Sequence, residues 1–406
     1  MTDLNRRGFL LKGGALGCSL AASPLLTPVT FAATGGENRL VVIILRGAMD
    51  GLDVIRPYGD PLLETYRPTL ARGIADDGLD LDGFYALNPA LSDLMPLWRK
   101  GELGFAQAVS TPYRDKRSHF DGQDLLEAGT GADVGAVRDG WLNRLLQAMP
   151  GVTSETAFAV GREEMKLLSG RAAVSSWSPD GRLDMSPQAR LLLDEVYHDD
   201  PLFRAAGQEA IAIAESLGVA SADSFGVSKK VLREQLKTSS QAGEADVLAR
   251  FAATRLNENS RIAAFSLSGW DTHGRQRAGM ARALGKLQSA ILTLKSELGA
   301  NWDRTAVVAV TEFGRTAREN GTLGTDHGTG GALVMAGGAI RGGRVFGEWP
   351  GLAEADLYAR RDLMPTADVR AYPAWMMQGL FGISAATLQT AVFPGLQLGR
   401  DPGVLS

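Results

Sequence analysis

The chain has 406 residues, a formal net charge of −4 at pH 7 and 45% hydrophobic against 22% charged residues. That is ordinary globular composition, and the absence of a basic footprint argues against nucleic acid as a partner. The only cysteine, Cys18, lies near the N-terminus. The remainder of the chain therefore has no disulfide, no thiol nucleophile and no thiolate metal site.

In chain order, Asn5-Arg6-Arg7-Gly8-Phe9-Leu10-Leu11-Lys12 leads into a Gly/Ala/Leu-rich stretch, then the small residues around Ala32-Ala33. Paired arginines, a weakly apolar stretch and a small-residue cleavage site describe a twin-arginine export signal over residues 1–33. It implies the twin-arginine export machinery as a partner and a periplasmic or secreted destination. A lipoprotein site ending at Cys18 is the weaker reading, because almost no apolar segment precedes it. The stretch is too short and glycine-rich to anchor, and no later segment resembles a membrane span.

Residues 34–406 are long enough for one large α/β domain. Short apolar, β-branched runs at 40–45, 103–109, 157–160, 262–267, 306–310 and 332–336 read as buried strands. Helical patterns fall at 90–99, 120–127, 137–148, 188–197, 201–217, 227–236, 244–257 and 277–298. This alternation predicts an α/β fold, with a mainly parallel central sheet and helices on both faces. A helix-rich excursion is expected around 200–260, a surface loop over 348–361, and a packing helix near 373–381.

Three of the four histidines sit in short polar and glycine-bearing motifs: His119 in RSHFDGQD, His273 in SGWDTHGRQ and His327 in GTDHGTGG. Each has an Asp within two residues, and imidazole with carboxylate is what a divalent metal takes as ligands. Asp271 and His273, two apart, reach one ion if the backbone is extended, with Trp270 packed beneath. Asp326-His327 either ligates a metal or forms an Asx-type turn. Glu312 and Asp50 stand at strand ends, where burial demands a metal or an arginine. Arg315 is the candidate partner for Glu312, and Arg46 for Asp50. These motifs follow strands or fold back toward them, at the rim where open parallel sheets bind ligands.

Ser118 opens a helix. It is either an N-cap or a nucleophile at a helix N-terminus that favours anions. Arg46, Arg114, Arg117 and Arg315 are candidates to orient an anionic ester. His198, in the helical excursion, reads as an exposed side chain.

The segments VVIILRGAMDGLDVIRPYGD, RSHFDGQDLLEAGT, LSGWDTHG, TEFGRTARENGTLGTDHGTGG and GGRVFGEWPGL resemble domain-of-unknown-function family 1501, a family of twin-arginine-exported bacterial proteins. That family is similar to the alkaline phosphatase, sulfatase and phosphoglycerate mutase superfamily of metal-dependent ester hydrolases and transferases. The resemblance implies an alkaline-phosphatase-like domain. By motif order it implies metal-binding roles for Asp50, Asp271, His273, Glu312 and His327, and a nucleophile near Ser118. The departure is Phe313, where the superfamily usually has His, and it bears against a complete two-metal site.

Two functions follow as expectations. The first is a hydrolase of phosphate or sulfate esters using Zn, Mn or Ca, with a small anionic ester as substrate. Its metal set is Asp50, His119, Asp271, His273, Glu312, Asp326 and His327, and its catalytic set is Ser118, Arg46 and Arg315. The second is a non-catalytic periplasmic binding or assembly protein on the same fold with a degenerate metal site.

Overall fold

Residues 37–73, 79–131, 139–161, 165–177 and 243–406 are described by the computed structural model. The export segment 1–33, His198, the helices expected at 188–197, 201–217 and 227–236, and the excursion up to residue 242 lie outside them.

The sheet is built from β1 (Arg39–Arg46), β2 (Leu103–Ser110), β3 (Ala157–Val160), β4 (Ser175–Trp177), β5 (Ile262–Ser268), β6 (Thr305–Thr311), β7 (Gly331–Ala336), β8 (Val345–Phe346) and β9 (Ala367–Asp368). Its order is β8-β2-β7-β6-β1-β5-β3-β4, with β9 also paired to β2. The central strand, β1, is buried from Arg39 to Leu45. Such a continuous apolar, β-branched run is what a strand covered on both faces requires. Leu40, Val42 and Ile44 share a core with Trp141 and Leu145 of α4 (Trp141–Ala148) and with Trp375 and Met376 of α7 (Ala371–Phe381). Val41, Ile43 and Leu45 point to the opposite face and are also fully buried. Helices α5 (Glu244–Asn257) and α6 (Gln276–Leu298) pack on β5 and on each other.

The mainly parallel sheet read from the sequence is present, with one reversed strand: β7 runs antiparallel to both β2 and β6. The reason is local. After β6 the chain stays at the carboxyl rim through residues 312–330 and re-enters the sheet from that rim, so β7 must run backwards. The parallel strands β5, β1 and β6 end level. Arg46 pairs with Ser268 and Leu45 with Thr311, which aligns the segments that carry the histidine motifs.

Two elements differ in detail from expectation. The helix at 90–99 divides into a 3-10 turn, Pro89–Leu94, and α2 (Met95–Lys100), with Pro96 in the first turn of α2 where a missing N–H costs little. The loop at 348–361 contains a 3-10 turn, Glu354–Asp356, and buries Leu352 and Leu357. Among the described residues no helix is long and apolar enough to cross a membrane.

Candidate metal centre

His119 is the first residue of α3 (His119–Ala128), which starts at the cap Ser118 and ends at Gly129 in the left-handed region. Asp271 and His273 lie in the bend after β5. That bend is anchored by Trp270, fully buried, whose Nε1 donates to the Leu267 carbonyl at 2.9 Å. His327 lies on the return from β6 to β7. Two glycines let these loops close: a Cβ on Gly324 would sit 2.4 Å from the His273 carbonyl, and one on Gly314 would sit 1.8 Å from the Gly330 oxygen.

The outcome is convergence. His119, Asp271 and His327 offer ligand atoms all within 4.8 Å of one another. His119 Nε2 and His327 Nε2 are each 3.4 Å from Asp271 Oδ1. His273 Nε2 lies 3.1 Å from the same oxygen and 2.9 Å from His327 Nε2. Donors held about 2.0–2.1 Å from a tetrahedral ion stand about 3.3 Å apart, so the spacing of His119, Asp271 and His327 fits one metal, with His273 beside them.

The outward-facing ring atoms are partnered as metal-binding imidazoles require. His119 Nδ1 is 2.8 Å from Glu312 Oε1, His273 Nδ1 is 3.3 Å from Asp326 Oδ1, and His327 Nδ1 is 2.9 Å from the Arg117 carbonyl. With the proton on each Nδ1, each Nε2 directs a lone pair at the others and at a carboxylate oxygen. His119 Nε2 is buried with no hydrogen-bond partner. Lone pairs gathered in this way repel unless a cation lies among them. The donor set fits a divalent metal.

Protonation follows the same geometry. The hydrogen bond to Glu312 raises the His119 pKa against the opposing effect of burial, so a proton would compete with any metal for Nε2. Burial lowers the His327 pKa. Burial pushes Asp271 up, but the hydrogen bond and charge of Arg315 outweigh it and hold the carboxyl below its ordinary value. Asp326 is held low chiefly by its hydrogen bond from Asn320.

The other residues singled out in the sequence lie around this group. Glu312, fully buried, faces His119 Nδ1, Gln123 Nε2 and the Gly47 amide, which puts it behind His119. Arg315 does not pair with it: Arg315 turns beneath the loops and meets Asp271 at 2.6 Å. Asp50 does not pair with Arg46. It is buried against Arg67, with Nη1 at 2.7 Å, and accepts from Gln276 at 2.6 Å, away from the convergent atoms. Arg46 instead meets Glu127 at 2.8 Å and Gln123 Oε1 at 3.0 Å. Ser118 Oγ accepts from the Asp121 amide at 3.4 Å, the geometry of a cap. Arg67 lies outside every motif, and Gln123 and Gln276 stand inside the motifs of His119 and His273 without being singled out. Gln123 was nonetheless discoverable, because His119, Gln123 and Glu127 are spaced by four and share one helix face.

No curated protein matches this sequence. Solved structures that resemble it include Ps i-CgsB in complex with k-i-k-neocarrahexaose, at 11% identity and a TM-score of 0.41, covering 87% of this chain and 74% of that one. The C-terminal periplasmic domain of EcEptC from Escherichia coli, in complex with Zn, aligns at 10% identity and TM-score 0.34 over 77% of each chain. Alkaline phosphatase from the Antarctic bacterium TAB5 aligns at 11% identity and TM-score 0.35, over 76% of this chain and 92% of that one. Residues 104–389, well over half of the chain, match the profile of the family described as protein of unknown function DUF1501, and the chain belongs to that family.

Proposed function

We propose that this protein is an exported, metal-dependent hydrolase of phosphate or sulfate esters, with His119, Asp271, His273 and His327 holding the metal. The observation that carries the reading is the set of Nε2 atoms turned toward Asp271, with each Nδ1 fixed from behind. Three imidazoles favour Zn over Mn and Ca, which suit oxygen ligands. A divalent ion there would polarise the ester and offset its negative charge.

The chain's own residues supply the rest. Ser118 stands one residue from His119 at the start of a ten-residue helix, whose first-turn amides favour an anion. Its hydroxyl is the proposed attacking group. Arg315 and Arg46 are engaged within the protein and serve the site from behind. Orientation of an anionic ester falls to the exposed Lys116 and Arg117, whose loop meets His327 through the Arg117 carbonyl. Delivery through the twin-arginine route to the periplasm or beyond completes the proposal.

A second reading rests on the number of donors. Four protein ligands would close a tetrahedral ion, as in structural rather than catalytic zinc sites, and that favours a non-catalytic binding or assembly role. Elemental analysis after loading with Zn or Mn, together with turnover of aryl phosphate and sulfate esters, separates these. The hydrolase reading expects stoichiometric metal and turnover of at least one ester class. Stoichiometric metal without turnover favours the second reading, and no retained metal refutes the hydrolase and leaves a binding or assembly role on a degenerate site. Within an active protein, Ser118→Ala should cut turnover by orders of magnitude while losing about 1 kcal/mol of stability as a lost cap. Stability loss with activity retained makes Ser118 a cap alone.

A further inference from the structure

We propose that Glu312 binds no metal itself but positions His119 and supplies its counter-charge, making His119 the anchoring ligand of the centre. This rests on the metal-centre reading above.

Glu312 is fully buried at the end of β6, and its carboxylate is densely solvated by protein. Oε1 accepts from His119 Nδ1 at 2.8 Å, the Gly47 amide at 2.9 Å and Gln123 Nε2 at 3.1 Å. Thr311 Oγ1 lies 2.9 Å from Oε2. The Gln123 amide cannot simply turn over, because its Oε1 accepts from Arg46 at 3.0 Å. It therefore presents a donor to Glu312, and Glu312 is held as an acceptor.

The charges decide the role. A buried carboxylate is costly unless a positive charge faces it. Arg46, the nearest cation along this string, is matched by Glu127 at 2.8 Å. Among the described residues, the one ion-pair partner of Glu312 is His119. Positive charge must reach Glu312 through that ring, as a proton or as a metal on Nε2. The Nε2 atom is buried and lacks a hydrogen-bond partner, so it is aimed at that purpose.

The other two imidazoles are backed differently. His327 is supported by a neutral carbonyl at 2.9 Å. His273 is supported at 3.3 Å by Asp326, in a pair whose side chains are 46% and 53% exposed. A carboxylate behind a ligating histidine fixes the ring and raises its basicity, and removing such a partner costs about 10- to 100-fold in metal affinity. The buried, multiply bonded Glu312 should lie at the high end of that range, and the solvated Asp326 near or below its low end.

The test uses the full chain, titrated with Co²⁺ to read its visible bands and with Zn²⁺ against a chromophoric chelator. Glu312→Gln should weaken Zn²⁺ binding about 10- to 100-fold at unchanged stoichiometry and with Co²⁺ bands like those of wild type. His119→Ala, a true ligand loss, should shift the bands. Asp326→Asn should weaken binding less than Glu312→Gln. Unchanged affinity in Glu312→Gln overturns the proposal. So do bands shifted as in His119→Ala, because Glu312 would then be a ligand. If Glu312→Gln does not fold, Gln123→Met at the half-buried helix face serves instead. A several-fold loss with unchanged bands supports the proposal, and unchanged affinity overturns it. A wild type that binds neither ion refutes the metal centre itself, a failure seen before any variant is made.

Discussion

Arg315 is the keystone under the rim, and its removal is the most quantitative prediction. Its side chain is fully buried. Nε donates to Ala48 O at 2.7 Å, Nη1 to Thr325 O at 3.1 Å, and Nη2 to Gly47 O, Trp270 O and Asp271 Oδ1 at 2.7, 3.1 and 2.6 Å. Arg315→Met keeps most of the bulk and removes every donor. Four carbonyls at about 1 kcal/mol each, the low end for unsatisfied buried groups, give about 4 kcal/mol. The ion pair adds little, because Asp271 is 47% exposed and solvent screens it. A loss of about 4 kcal/mol is a large part of a typical total of about 5–15 kcal/mol, and lowers the melting temperature by roughly 5 °C in a domain of this size. Calorimetry with chelator present isolates this from metal binding, and Arg315→Lys should recover only part of the loss. A deficit below about 1 kcal/mol would refute the reasoning, because it would mean the carbonyls find other donors.

Gly314→Ala should be worse than an ordinary overpacking change of about 1–3 kcal/mol, because the new Cβ meets backbone at Gly330 rather than a movable side chain. Soluble yield and far-UV dichroism check it, and a folded protein of wild-type stability would sink the idea. Glu127 is 3% exposed, and burial raises its carboxyl above the ordinary 4.5 despite Arg46. The folded state therefore holds this proton more tightly than the unfolded one, and Glu127 subtracts stability as pH rises from about 4.5 through its folded pKa. Denaturant midpoints across that window should fall less steeply in Glu127→Gln, and a slope equal to that of wild type contradicts the assignment. Replacing Arg6 and Arg7 together with Lys should abolish periplasmic delivery, read by cell fractionation; unchanged delivery rejects the twin-arginine route.

Much of the architecture was legible because burial on both faces leaves an unmistakable run such as LVVIIL in β1. The rim was legible because His119, His273 and His327 each adjoin such a run or fold back to one. Strand direction was not, since the apolar pattern of β7 reads the same either way and only the path of residues 312–330 reverses it. Charge pairing was the least accessible. Arg315 lies three residues from Glu312, yet the turn at Gly314 carries it beneath Asp271. Asp50 meets Arg67, which lies in a stretch with no motif of its own. Partners of this kind are chosen by packing between distant segments, and local sequence does not encode it.

The reversal of β7 bears on when the centre comes into being. His119, Asp271 and His327 come from separate crossings of the sheet, and His327 lies on the return into β7, which pairs with both β2 and β6. An unfolded or half-folded chain offers an ion only local pairs, such as Asp271 with His273 or Asp326 with His327. On the proposed function, affinity would therefore be a property of the finished sheet, and metal would act as a late lock that stabilises what has already closed. Ion selection in such sites follows local availability as much as ligand chemistry. If the centre holds a metal, the compartment in which the last strand inserts would choose it, and an export route for folded protein would carry that choice across the membrane intact.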